Sequence, residues 1–218
     1  VASGGATLKY LLMRPLDYDP QNEYPMVVCL SYGGYEAPPA NWLAENVNRE
    51  KYQAFLFIPY SEARASWGGV PEVANFVARD ALLYQALRSL EEPAIDEDRV
   101  YISGVSLGGY GSWHLISAHP GMFTASIPVC GGGNPELAPN VLDVSVWALH
   151  GAKDINVPVT GSRDMIEAIR KAGGDPKYTE YGHLAHNIWH DVTKTPGLLA
   201  WLFAQKKHRR PSAVGSPD

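Results

Sequence analysis

Cysteine occurs only twice in the 218 residues, at Cys29 and Cys130, and neither stands in a C-x-x-C or metal-ligand spacing. A disulfide framework and a zinc-finger scaffold are thereby excluded, and both thiols read as small buried apolar side chains. No run of 18 apolar residues occurs, which excludes a membrane-spanning helix. No charged, apolar-cored leader is visible either. The chain begins at Val1 without an initiator Met, so an upstream segment removed in maturation, with a secreted or periplasmic location, fits the sequence; composition does not choose a compartment. Neither sign of charge dominates: 18 Lys and Arg stand against 23 Asp and Glu, a net charge of −5. The one basic cluster, Lys206-Lys207-His208-Arg209-Arg210, reads as the solvated end of a last helix, and nucleic acid is not an expected partner. Internal repeats are absent, and no long insertion stands between strand candidates to form a lid.

What is present is a 45% hydrophobic chain, long enough to bury a full core. Residues 1–207 read as a single domain and 208–218, ending PSAVGSPD, as a flexible C-terminal tail. Strand candidates are Leu8–Arg14, Pro25–Leu30, Ala54–Pro59, Val100–Ser103, Ala125–Val129, Val146–His150 and Lys177–Tyr181. The middle ones are continuous apolar runs, the pattern of parallel strands covered on both faces. Between them the spacing predicts helices over Pro71–Leu90, after Ser106 to Ala118, Thr160–Ala172 and about Pro196–Lys206, with a loop and short helix in Tyr32–Asn48. Alternating strands and helices predict an α/β fold with a mostly parallel central sheet and helices on both faces.

One pentapeptide carries chemistry. Gly104-Val105-Ser106-Leu107-Gly108 is a G-x-S-x-G sequence, a pattern that chance supplies often when it stands alone. Here it follows the strand-like Arg99-Val100-Tyr101-Ile102-Ser103 and precedes a helical stretch closed by His119-Pro120-Gly121. Strand, sharp turn and helix are the context that lifts a serine out of a sheet as a nucleophile. A hydroxyl needs a base to take its proton, and the base needs an acid to hold its tautomer. In this kind of fold those follow the serine in the order acid, then histidine. Asp154 fits the acid because it lies in the loop leaving the strand that ends at His150; as an alternative it caps the next helix. Asp164, Glu167, Asp175 and Glu180 are worse placed, within a helix, a turn or a strand. His183, His186 and His190 after the last strand are all candidates for the base, and spacing does not choose among them. Their H-x-x-H-x-x-x-H run lacks the carboxylate pattern of a zinc site, so neither metal nor cofactor is expected.

Taken in order, Tyr24–Leu30 with its glycine-rich loop, the Ser106 pentapeptide, Val129-Cys130-Gly131-Gly132-Gly133, His150-Gly151-x-x-Asp154-x-x-Val157-Pro158 and His186-Asn187-x-Trp189 resemble one family. They are similar to the lid-less α/β-hydrolases known as predicted peptidases, polyhydroxybutyrate-depolymerase-like esterases and feruloyl-type carbohydrate esterases. The resemblance runs from about Leu8 to Gln205. It implies His186 as the base, three residues before the Trp, and leaves His183 at the pocket rim. It also implies His-Gly after the strand ending at Leu30, where this chain has Ser31-Tyr32 followed by Gly33-Gly34-Tyr35. An oxyanion hole needs only two backbone N–H groups, expected from Leu107 and Gly33, with Tyr32 the second choice for the latter.

The expected activity is therefore that of a serine carboxylic-ester hydrolase with Ser106, Asp154 and His186 as its triad. The expected substrates are short acyl or aryl esters, small or carbohydrate-linked, with Tyr35, Trp67 and Trp189 at the rim. Two rivals remain at this level: a peptidase using the same residues, and a degenerate hydrolase that only binds carbohydrate. The oligomeric state is not legible.

Overall fold

The architecture comes from a computed structural model, which describes residues 2–3, 6–71 and 75–207. Seven strands form the main sheet: β1 (Tyr10–Met13), β2 (Tyr24–Leu30), β3 (Phe55–Pro59), β4 (Ile95–Val105), β5 (Ala125–Val129), β6 (Ser145–Gly151) and β7 (Lys177–Tyr181). Their order across the sheet is β7-β6-β5-β4-β2-β3-β1. All neighbours are parallel except β1, which runs antiparallel to β3 at the edge. The helices are α1 (Pro38–Leu43), α2 (Asn46–Lys51), α3 (Asp80–Arg88), α4 (Leu107–Ala118), α5 (Thr160–Lys171), α6 (Trp189–Val192) and α7 (Leu198–Phe203).

The apolar run of β2 explains the layering. Met26, Val28 and Leu30 point into one core with Phe55, Phe57, Ile102 and Trp113, whereas Val27 and Cys29 point into another with Leu56, Tyr101 and Leu149. Both faces are thus dry, as a period of two in an uninterrupted apolar strand requires. Side chains of α3, α4 and α5 close the first core; those of α1, α6 and α7 close the second. From β3 the chain returns past β2 to place β4 on its other side, and the reversal opens a crevice at the carboxyl ends of β2 and β4. Cys29 and Cys130 are free and buried. Strand β4 separates the strands that lead to them, a gap of about 10 Å that no disulfide spans.

Three expectations need correction. The helix expected over Pro71–Leu90 is formed only at Asp80–Arg88. Asn75 takes a left-handed backbone (φ 51°), and the Val77 and Arg79 amides donate to Arg64 and Ser66 carbonyls at 2.8 Å. Val77–Ala78 therefore pairs with Ala65–Ser66, and the apolar Phe76 and Val77 lie exposed; Val73 lies outside the described residues. The last helix spans Leu198–Phe203, because Gly197 enters it from a left-handed turn (φ 75°). Lys207 thus lies beyond that helix, its Nζ donating to the Glu97 and Met122 carbonyls. Residues 208–218, the expected tail, lie outside the described residues.

Helix α4 approaches the loop after β5 backbone to backbone. A Cβ on Gly109 would stand 2.3 Å from the Val129 carbonyl oxygen, whereas one on Gly121 would meet nothing within 4 Å. Gly109→Ala is expected to lower unfolding stability in urea by about 3 kcal/mol or more, since backbone cannot yield as a side chain does. Gly121→Ala should stay within about 0.5 kcal/mol of the parent.

Candidate active site

Ser106 joins β4 to α4 with φ 59° and ψ −113°, a conformation L-residues rarely adopt. Its amide donates to the Val129 carbonyl (3.0 Å) and its carbonyl accepts from the Tyr110 amide (2.9 Å). The glycines of the pentapeptide are steric requirements of this turn. A Cβ on Gly104 would come within 2.6 Å of the Gly108 backbone, and one on Gly108 within 2.7 Å of the Leu30 carbonyl. Ser106 is half-buried at the start of α4, where unpaired amides favour negative charge.

Asp154 and His186 come together from the loops after β6 and β7. His186 Nδ1 lies 2.6 Å from Asp154 Oδ2, and Asp154 Oδ1 accepts the Asn156 and Val157 amides, both at 2.9 Å. One carboxylate oxygen thus holds the local turn while the other holds the histidine. The two loops are tied together by Ala152 N–H to the Tyr181 carbonyl (3.0 Å) and Lys153 N–H to the Leu184 carbonyl (2.9 Å). Burial acts to raise the Asp154 carboxyl, but the Val157 amide, the His186 ring and the Asn156 amide outweigh it and hold it below the usual carboxylate range. The Asp154 side chain is fully buried and the His186 ring about one-quarter exposed. His183 and His190 are both exposed, and neither bonds to Asp154. Among the described residues Ser106 Oγ makes no hydrogen bond, so the expected Ser106–His186 contact is not formed in the structure. Such contacts commonly tighten only when substrate is seated.

The loop after β2 departs from the resemblance and supplies its own bracing. Ser31 Oγ donates to the Pro59 carbonyl at 2.6 Å, and the Trp67 indole Nε1–H donates to the Ser31 carbonyl at 2.6 Å. Tyr32 N–H is engaged by the Glu36 carbonyl (3.1 Å) and Gly34 N–H by the Ser61 carbonyl (2.9 Å). Between them, Gly33 N–H donates to no described group, nor does Leu107 N–H at the first turn of α4.

The aromatic residues divide. Tyr35 is exposed and meets Tyr60 edge-to-face at 4.9 Å; Tyr32 and Tyr60 are exposed beside it. Trp67 is not a rim residue: it is fully buried beneath the Ser31 loop. Trp189 is half-buried against Trp42, centroids 6.0 Å apart, where it covers the second core. Sequence reading gave no role to Tyr60, which directly follows the buried β3, or to His150. A titratable residue closing an apolar strand four positions before Asp154 was the available signal. Cys130, with its thiol pushed up to about 12 by burial, donates to the His186 carbonyl at 3.4 Å.

Trp67→Phe keeps an aromatic ring, smaller than the indole, and removes one donor from a buried carbonyl. A loss of about 1–3 kcal/mol in urea unfolding is expected. Faster amide exchange at Tyr32 and Gly34, with α5 unaffected, would locate the damage in this loop; uniform loss of protection would assign Trp67 a purely global packing role.

No family model matches the chain. It is 30% identical over 150 residues to an uncharacterized secreted protein of Arthroderma benhamiae, over 55% of this chain and 16% of that protein. Among solved structures, a thermostable esterase is 30% identical with a TM-score of 0.85, over 93% of this chain and 60% of its own. The chain therefore spans well under two thirds of either relative's length. A ferulic acid esterase (13% identity, TM-score 0.69, 91% and 93% of the two chains) and Porphyromonas gingivalis dipeptidyl peptidase 4 (19%, 0.68, 91% and 33%) share the fold. No helix among the described residues is long and apolar enough to cross a membrane. Strand order, the turn at Ser106 and these likenesses agree: the chain has the α/β-hydrolase fold, which it shares with esterases and peptidases.

Proposed function

We propose that the protein is a serine carboxylic-ester hydrolase. The observation that carries the reading is the 2.6 Å bond between His186 Nδ1 and the buried Asp154, in a chain whose strained turn between β4 and α4 presents Ser106. Asp154 fixes the proton on Nδ1, which leaves His186 Nε2 free to act as base. Ser106 Oγ attacks the ester carbonyl carbon as its proton passes to Nε2, and the carbonyl oxygen becomes an oxyanion. Gly33 N–H and Leu107 N–H, both without a partner among the described residues, are the donors for that charge. Collapse breaks the C–O bond to the alcohol, which leaves with the proton from His186. Water then attacks the acyl-enzyme with His186 again as base, releasing the acid and restoring Ser106.

The substrates are short acyl or aryl esters, small or carbohydrate-linked. Exposed Tyr32, Tyr35 and Tyr60 offer flat apolar faces next to Gly33, and ring-shaped groups pack well on such faces. The likeness to a thermostable esterase supports ester over amide substrates.

The test is a panel of p-nitrophenyl acetate and butyrate beside aminoacyl anilides, with fluorophosphonate labelling. Ester turnover and labelling are expected, with Ser106→Ala losing labelling and on the order of 10⁶ in kcat. Anilide turnover without ester turnover makes the protein a peptidase; no labelling at all makes it a binding module. Tyr60→Ala is expected to raise KM for a feruloylated sugar about two- to tenfold while leaving acetate ester kinetics unchanged, the worth of one ring contact.

A further inference from the structure

Asp154 carries one more contact than the triad chemistry requires. His150, at the penultimate position of β6, is fully buried, and its Nε2 lies 3.3 Å from Asp154 Oδ2 and 3.1 Å from the Val157 carbonyl oxygen. Its Nδ1 lies 2.8 Å from Ser162 Oγ on α5, and that hydroxyl lies 3.1 Å from the Gly131 carbonyl.

The chemistry of these neighbours fixes the ring's protons. Val157 O and Asp154 Oδ2 are acceptors only, so Nε2 must carry a hydrogen. In the neutral ring Nδ1 is then an acceptor, and the single hydrogen of the Ser162 hydroxyl has both Nδ1 and the Gly131 carbonyl within reach. Burial, which disfavours the charged ring, lowers the His150 pKa despite the Val157 carbonyl and the Asp154 carboxylate. His150 is thus a neutral donor whose tautomer is set by the two acceptors that face Nε2.

From this geometry we propose that His150 is a positioning residue for the Asp154–His186 pair: its Nε2–H, bonded to the Val157 carbonyl, also lies 3.3 Å from Asp154 Oδ2, the same oxygen that holds His186. The inference rests on the ester-hydrolase reading for its effect on rate, but its hydrogen-bond content stands without it. The carboxylate holds three hydrogen bonds, from the Asn156 and Val157 amides on Oδ1 and the His186 ring on Oδ2, and the His150 ring stands 3.3 Å from that second oxygen. A carboxylate so filled cannot rotate about its Cβ–Cγ bond without breaking several bonds at once, so the oxygen facing His186 stays in place through each proton transfer. Ser162 links this lock to the Gly131 backbone, in the loop that packs on the first turns of α4.

Two measurements test it. In the full-length wild-type chain, ¹⁵N–¹H correlation of the assigned His150 ring at neutral pH should give the Nε2–H tautomer with an unprotonated Nδ1. An Nδ1–H tautomer, or a doubly protonated ring, overturns the proposal whether or not the protein hydrolyses esters. For the rate, His150→Phe fills the space without a donor, and His150→Gln keeps a donor at nearly the Nε2 position. His150→Phe is expected to lower kcat on p-nitrophenyl acetate about ten- to a hundredfold, the usual cost of losing such a supporting bond, with KM within twofold. His150→Gln should recover most of that loss. Equal loss of kcat in both folded variants, or a loss confined to KM, would mean that His150 only packs, and the proposal falls. If wild type neither turns over esters nor is labelled at Ser106, the function reading fails while the tautomer result still decides whether His150 carries a hydrogen on the side of Asp154.

Discussion

The backbone of Ser106 is the constraint on which the site depends. A φ of 59° with ψ −113° costs about 1–3 kcal/mol for a residue with a side chain. It survives because its surroundings leave no alternative: the Val129 carbonyl takes its amide, Tyr110 N–H takes its carbonyl, and the backbones of Gly104, Gly108 and Leu30 crowd the turn. The stored strain keeps the hydroxyl proud of the sheet while its main chain stays bonded to β5 and α4. Relaxing the turn to an ordinary conformation would draw Oγ back toward the sheet and separate β4 from its helix.

The partners of that serine are held by different physics. Asp154 and His186 come from loops that pair backbone to backbone, and the carboxylate is dry and holds three hydrogen bonds. The β2 loop is instead stapled at its first residue. Where the resemblance implies His-Gly, Ser31 and Trp67 carry the bracing, with a side-chain bond to the Pro59 carbonyl and a bond from the buried Trp67 indole. The bracing leaves Gly33 N–H pointing to no protein acceptor while its neighbours Tyr32 and Gly34 are both engaged. A change of residue type at the loop's start therefore need not cost the free amide two positions later.

Much of this was legible in the sequence because it depends on period and order. All seven strands of the main sheet stand where apolar runs placed them, and β5 and β7 have the expected ends. Asp154 and His186 could be singled out because a strand end and a following loop are sequence-visible positions; the His186 choice needed the resemblance. Contacts between segments were not legible. The Pro71–Leu90 period suggested a helix, but the 75–79 segment found hydrogen-bond partners at Arg64 and Ser66, and nothing local announces such a pairing. Trp67, between small residues and glycines, looked like a loop aromatic facing solvent. Its burial is a consequence of α4 and the Ser31 loop closing over it, and both lie more than 30 residues away in sequence. His150 was overlooked for the opposite reason: its position in an apolar run made it resemble core.

These placements give the site a gradient in hydrogen bonding as well as in burial. Asp154 is sealed and holds three hydrogen bonds, His186 keeps about a quarter of its ring exposed and one bond to the acid, and Ser106 Oγ has no hydrogen bond among the described residues. The proton transfer proposed for Ser106, His186 and Asp154 needs that order. The group that only holds charge must not move, because any drift of Asp154 would misdirect the imidazole. The group that carries the proton must pivot slightly between nucleophile and leaving alcohol, which one bond through Nδ1 permits and two would prevent. The nucleophile must be free to leave its base once the acyl bond forms. A rigid backbone under a free hydroxyl meets that last demand, so the strain at Ser106 and the absence of a bond at its Oγ are two sides of one arrangement.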